Sequence, residues 1–61
     1  MMKAPTPFLR AADVAEILQR SPGQAYKIIK KLNAELEKQG YLTEAGRISR
    51  AYFNKRFGLE G

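Results

Sequence analysis

No cysteine and no histidine occur in this chain of 61 residues, so neither a disulfide nor a thiolate or imidazole metal site can hold it together. A chain of this length lies near the lower limit at which burial of its own apolar side chains suffices, and it makes one domain at most. The same absences remove the usual zinc ligand sets and the usual general base at neutral pH. Composition therefore argues against an enzyme and gives no reason to expect a cofactor or a metal. No apolar run approaches the roughly 18 residues of a membrane span, and the first residues lack the apolar stretch of a signal peptide. A cytoplasmic protein with no membrane partner is the default expectation.

Three helices are legible from apolar spacing and end signals. Ala11, Val14, Ala15, Ile17 and Leu18 recur at helical intervals, with Asp13 and Glu16 near the start, where the helix dipole favours negative charge. A stronger start follows at Ser21-Pro22-Gly23-Gln24: Ser21 can accept from the Gln24 amide, the Gln24 side chain can reach back, and Pro22 stands where no amide is lost. Ala25, Ile28, Ile29, Leu32 and Leu36 then fall within about 100° of arc on a helical wheel. Gly40 supplies a left-handed cap, which puts this second helix at 22–39. Ser49 opens a third helix, in which Tyr52, Phe53 and Phe57 are core candidates and Gly58 is the stop.

The remaining segments are short. Residues 1–8 contain two prolines and no apolar period, and are expected to be a flexible arm outside the core that becomes extended at Phe8 and Leu9. Between the second and third helices, Tyr41 and Leu42 are expected to face Ile48 across a small β-hairpin whose turn contains Gly46, a candidate wing. Residues 59–61 are left as a tail.

Charge is segregated along the chain. The formal net charge of +5 and pI near 9.9 favour a polyanionic partner without naming one. Residues 21–33 carry Lys27, Lys30 and Lys31 and no acid, whereas Glu35, Glu37 and Glu44 cluster further on. On the second helix the apolar stripe centres near about 95° from Gln24, so the opposite face centres near about 275° and carries Gly23, Lys27, Lys30 and Ala34. Tyr26 and Lys31 flank that face. Lysine-rich helix faces are commonly just solvated, but this one lacks the interleaved acids that would give i,i+4 pairs until Glu35, which can pair with Lys31.

A short helix, a tight connection and a capped cationic helix, with small Ala15 ten residues before Ala25, is the layout of a helix-turn-helix. At this point "DVAEILQRSPGQAYKIIKKLN" followed by "GYLTEAGRISRAYF" resembles the small winged helix-turn-helix proteins of the excisionase-like group carried by bacteriophages and integrative elements, over residues 9–57. The resemblance implies a mainly α fold at 9–58, three helices with a small β-hairpin wing, and double-stranded DNA binding in control of excision or transcription. It places Ser21, Gly23, Gln24, Lys27 and Lys30 at the groove and makes the "EAGR" turn the wing. Two departures stand out. Family members commonly have glycine at the position of Gln19 and an apolar residue at that of Arg20. A left-handed Gln19 would cost on the order of 1 to 2 kcal/mol, and Arg20 suits a phosphate better than a core.

Each candidate has an ordinary alternative. Ser21, Gly23 and Gln24 cap the helix whether or not they also meet phosphate or a base, and Gln24 is the base-reading candidate because glutamine pairs with adenine through two hydrogen bonds. Lys27 and Lys30 can read guanine or hold phosphate, and phosphate better suits a flexible ammonium; Lys31 is peripheral, and Tyr26 divides between partial burial and a phosphate contact. Arg47 after Gly46 is a wing arginine or an exposed turn residue, and Arg50 opposes the dipole of the third helix unless it faces phosphate. Lys55 and Arg56 read as solvated face. Self-association on DNA is expected because so small a domain reads only a short site. The competing function is a protein-interaction module in which residues 34–39 and the aromatic C-terminus dock an integrase, a terminase subunit or another phage protein.

Overall fold

The computed structural model describes residues 7–59, and the element order is β1 (Phe8–Arg10), α1 (Ala11–Leu18), α2 (Pro22–Lys38), β2 (Arg47–Ser49) and α3 (Arg50–Phe57). The three helices are where periodicity and caps put them. Ser21 accepts from the Gln24 backbone amide at 3.3 Å and Ser49 accepts from that of Tyr52 at 3.2 Å, so two helices start on a serine cap. Among the described residues, no reciprocal bond returns from the Gln24 side chain. At the start of α1 the Asp13 carboxylate accepts from the Arg10 backbone amide at 2.9 Å, which gives Asp13 a structural task at the positive end of the dipole.

All three helices end in the same way. After α2 the Gly40 amide donates to the Glu37 carbonyl and the Tyr41 amide to the Leu36 carbonyl, each at 3.0 Å, with Gly40 at φ +92°. After α3, Gly58 takes the left-handed position and Leu59 donates to the Asn54 carbonyl at 2.8 Å. After α1 the left-handed residue is Gln19, at φ 54° and ψ 49°, while Arg20 donates to the Ala15 carbonyl at 2.9 Å. The connection therefore follows the glycine path despite its side chain. Each cap satisfies carbonyls that the helix end leaves open.

The sheet is not the one the sequence predicts. β2 pairs antiparallel with β1, in the register Phe8 with Ser49, Leu9 with Ile48 and Arg10 with Arg47, and the Arg50 amide extends the pairing to the Pro7 carbonyl at 2.9 Å. Residues 41–43 form no strand; Leu42 is 99% exposed and Tyr41 is exposed, so neither faces Ile48. The hairpin is reduced to a tight turn at 44–47, closed by the Arg47 amide on the Glu44 carbonyl at 3.2 Å with Gly46 at φ +77°. The physical reason is that the cap of α2 takes the Tyr41 amide, while Leu9, alternating inward between two exposed neighbours, offers Ile48 a buried partner. Phe8 therefore belongs to the folded domain, although residues 1–6 of the expected arm, and 60–61 of the expected tail, lie outside the described residues.

Leu9, Val14, Ala25, Ile29, Leu32, Ile48 and Phe53 form the buried core, with Ala15, Ile28, Leu36 and Tyr52 packed around it. Phe53 is fully buried and meets Phe57 with ring centroids 4.8 Å apart at a tilt of 38°, but Phe57 itself is exposed and only closes the edge. Three helices with a two-stranded antiparallel sheet make a mainly α, winged-helix-like arrangement. No helix among the described residues is long and apolar enough to cross a membrane.

Candidate nucleic-acid interface

The circumference of α2 is divided among three neighbours and open solvent. Ala25, Ile29 and Leu32 point into the core. Toward one flank, Tyr26, Lys30, Asn33, Ala34 and Glu37 line a groove of about 600 Å³ whose other wall is Thr43, Ala45 and Gly46 of the turn region. Toward the opposite flank, Ile28, Lys31, Leu32 and Glu35 meet Arg56 and Phe57 of α3. What is left over is the face carrying Gly23 and Lys27, bordered by Lys30 and Ala34 at the groove edge, all exposed, with Gln24 beside it.

Lys27 and Lys30 have no ion-pair or hydrogen-bond partner among the described residues. Arg20 is exposed at the elbow with its backbone amide committed to the end of α1, and Ser21 is committed to its cap. That cap consumes the Gln24 amide and Pro22 has none, so the Gly23 N–H is the free donor of the first turn. A Cβ built on Gly23 would meet nothing within 4 Å, so the fold itself does not require glycine there.

Tyr26 is 57% exposed and leans toward the turn. Its hydroxyl oxygen lies 3.0 Å from where a Cβ on Gly46 would stand, so Gly46 serves both the left-handed turn and this close approach. Asn33, to which sequence spacing assigns no role, is the buried polar residue among the described residues, at 8% exposure. Its side-chain amide donates to the Glu44 carbonyl at 2.9 Å and to the Arg47 carbonyl at 2.8 Å. Arg47 is held beside Glu44 at 3.6 Å, a loose surface pair with both side chains more than half exposed. Thr43 donates to the Glu37 carboxylate, closing the lower end of the groove.

Two expectations about charge are corrected. Glu35 does not pair with Lys31: Arg56 clamps it through Nε to Oε1 at 2.9 Å and Nη2 to Oε2 at 3.0 Å, and Tyr52 donates to Oε1 at 2.7 Å. A planar guanidinium matches a carboxylate in two parallel bonds, which a lysine cannot do. Arg56 is therefore a latch holding α3 against α2 and not a solvated residue. The hydrogen bonds from Arg56, and then that from Tyr52, hold the Glu35 carboxyl at about 2, and the same pairing pushes Arg56 up.

Of the sequence-predicted site residues, the structure gathers Gly23, Gln24, Lys27 and Lys30 on one open face, sets Arg20 and Ser21 at its start and Tyr26 on the turn side, and leaves Arg47 at the end of the turn, outside the groove lining. Lys31 is displaced toward α3. Arg50 is half-buried at the far end of β2 from the turn and does not line the groove. No clustered acids, among the described residues, could hold a metal ion.

Comparison with known proteins adds an independent line. No family model matches the chain, and no solved structure matches it. Among curated proteins, the ICEBs1 excisionase of Bacillus subtilis (strain 168) is 37% identical over 54 residues, which cover 88% of this chain and 84% of that protein. Identity at that level over so much of both chains shows common descent: the chain belongs to the excisionase-like family of small proteins.

Proposed function

We propose that this chain binds double-stranded DNA in a sequence-specific manner, with α1 and α2 acting as a helix-turn-helix, and that it serves as a recombination directionality factor or transcriptional regulator of a mobile element. The observation that carries the reading is the open face of α2, where Lys27 and Lys30 stand exposed without an acidic partner among the described residues. Kinship with an excisionase supports the same direction. In this reading the N-terminal half of α2 enters the major groove. Gln24 offers a bidentate pair to adenine, Lys27 and Lys30 neutralise phosphates, and the bare Gly23 lets a backbone phosphate approach the free N–H beside Arg20. Arg47, at the end of the turn, acts from the wing on the neighbouring backbone or minor groove.

So few contacts read a short site, so useful specificity calls for a second copy on adjacent DNA. A second reading, docking of an integrase or another protein on the C-terminal half of α2, has in its favour the exposed Tyr41 and Leu42 just beyond that half. It predicts partner binding that survives reversal of Lys27 and Lys30. The test of the DNA reading is selection of bound fragments from random duplexes, followed by affinity measured across salt. Four phosphate contacts, from Arg20, Lys27, Lys30 and Arg47, give a slope of log K on log salt of about −3 to −4. No enrichment, or affinity indifferent to salt, would refute it.

A further inference from the structure

Asn33 sits beside the apolar core and buries a carboxamide at 8% exposure. Burying such a group is unfavourable unless its hydrogen bonds are made, and here both N–H groups are used. They bracket the turn: one goes to the carbonyl of its first residue, Glu44, at 2.9 Å, the other to that of its last, Arg47, at 2.8 Å. No buried side-chain polar atom among the described residues is left without a partner. Lys30 stands one helical turn before Asn33 on the same wall of the groove, and Gly46 forms the opposite wall. The helix that carries Lys30 and the turn that ends in Arg47 are thus joined through one side chain.

We infer that Asn33 is a positioning residue for DNA binding: it touches no DNA and instead fixes Arg47 relative to Lys30, so that both meet phosphates of one duplex at once. This rests on the DNA-binding reading of the same face. Without the two bonds the turn is held through β2, its own Arg47-to-Glu44 bond and the neighbouring Thr43-to-Glu37 bond, none of which spans from α2 to Arg47 itself, and Arg47 samples positions that miss the backbone. Preorganisation, and not a new contact, is what Asn33 supplies.

The experiment is a double-mutant cycle of Asn33→Ala with Arg47→Ala on a selected duplex, with folding of each variant checked by circular dichroism. In the parent, Arg47→Ala should lower affinity about eightfold at about 0.1 M salt and reduce the salt slope by about one. In the Asn33→Ala background the slope should already be reduced, and Arg47→Ala should cost less than twofold more. A loss from Arg47→Ala that is equal in both backgrounds, or no loss in the parent, overturns the inference while leaving DNA binding standing. A parent that binds no duplex overturns both. Should Asn33→Ala not fold, Asn33→Gln, which keeps the amide on a longer stem and misplaces it, takes its place in the cycle with the same expected coupling and the same overturning result.

Discussion

Gln19 carries a conformation that the other two helix ends assign to glycine. At φ 54° its Cβ crowds the following carbonyl, a strain of about 1 to 2 kcal/mol, offset in part because glycine would leave the unfolded chain more freedom. Gln19→Gly should therefore stabilise the domain by about 0.5 to 1 kcal/mol and raise the thermal midpoint by several degrees. An unchanged or lowered midpoint in a melting experiment would show that the side chain compensates for the strain. Residues whose role is local were the legible ones: Ser21, Gly40, Ser49 and Gly58 act on amides and carbonyls within four positions, so sequence spacing alone assigns them. Asn33 and the approach of Tyr26 to Gly46 act across gaps that spacing does not encode. On the helical wheel Asn33 merely borders the apolar stripe.

At the scale of elements, α3 is held by Phe53 in the core and by the clamp of Arg56 and Tyr52 on Glu35. The Glu35 carboxyl lies at about 2 in the folded chain, below its value of about 4.3 when unfolded. A carboxyl depressed on folding stabilises the fold fully above its unfolded value, and that contribution is lost as pH falls from about 4.3 toward about 2. Denaturant unfolding followed between those limits should show a fall in stability that is smaller in Glu35→Gln. Equal acid sensitivity in both proteins would contradict the latch. The sheet illustrates the limit of reading elements in order: Arg47–Ser49 pairs with Phe8–Arg10 from the other end of the chain, whereas local pattern offered the nearer residues 41–43. The small apolar pair Leu9 and Ile48 decides the matter by burial, which a three-residue alternation is too short to announce.

For the molecule as a whole, the division of α2 explains how so short a chain both folds and presents charge. Core, turn and α3 take three sides of the helix, and the sector left uncovered over its N-terminal half is cationic. The candidate face was legible in the sequence because a helix 17 residues long fixes which side chains share a side, while the groove beside it depends on the turn and was not. The most direct measurement is duplex retention by the double variant Lys27→Glu with Lys30→Glu. Both side chains are exposed and unpaired among the described residues, so the variant should keep the parent's circular dichroism and melting midpoint and lose measurable DNA binding at moderate salt. A folded double variant that still shifts the duplex as the parent does would contradict the assignment of this face to DNA.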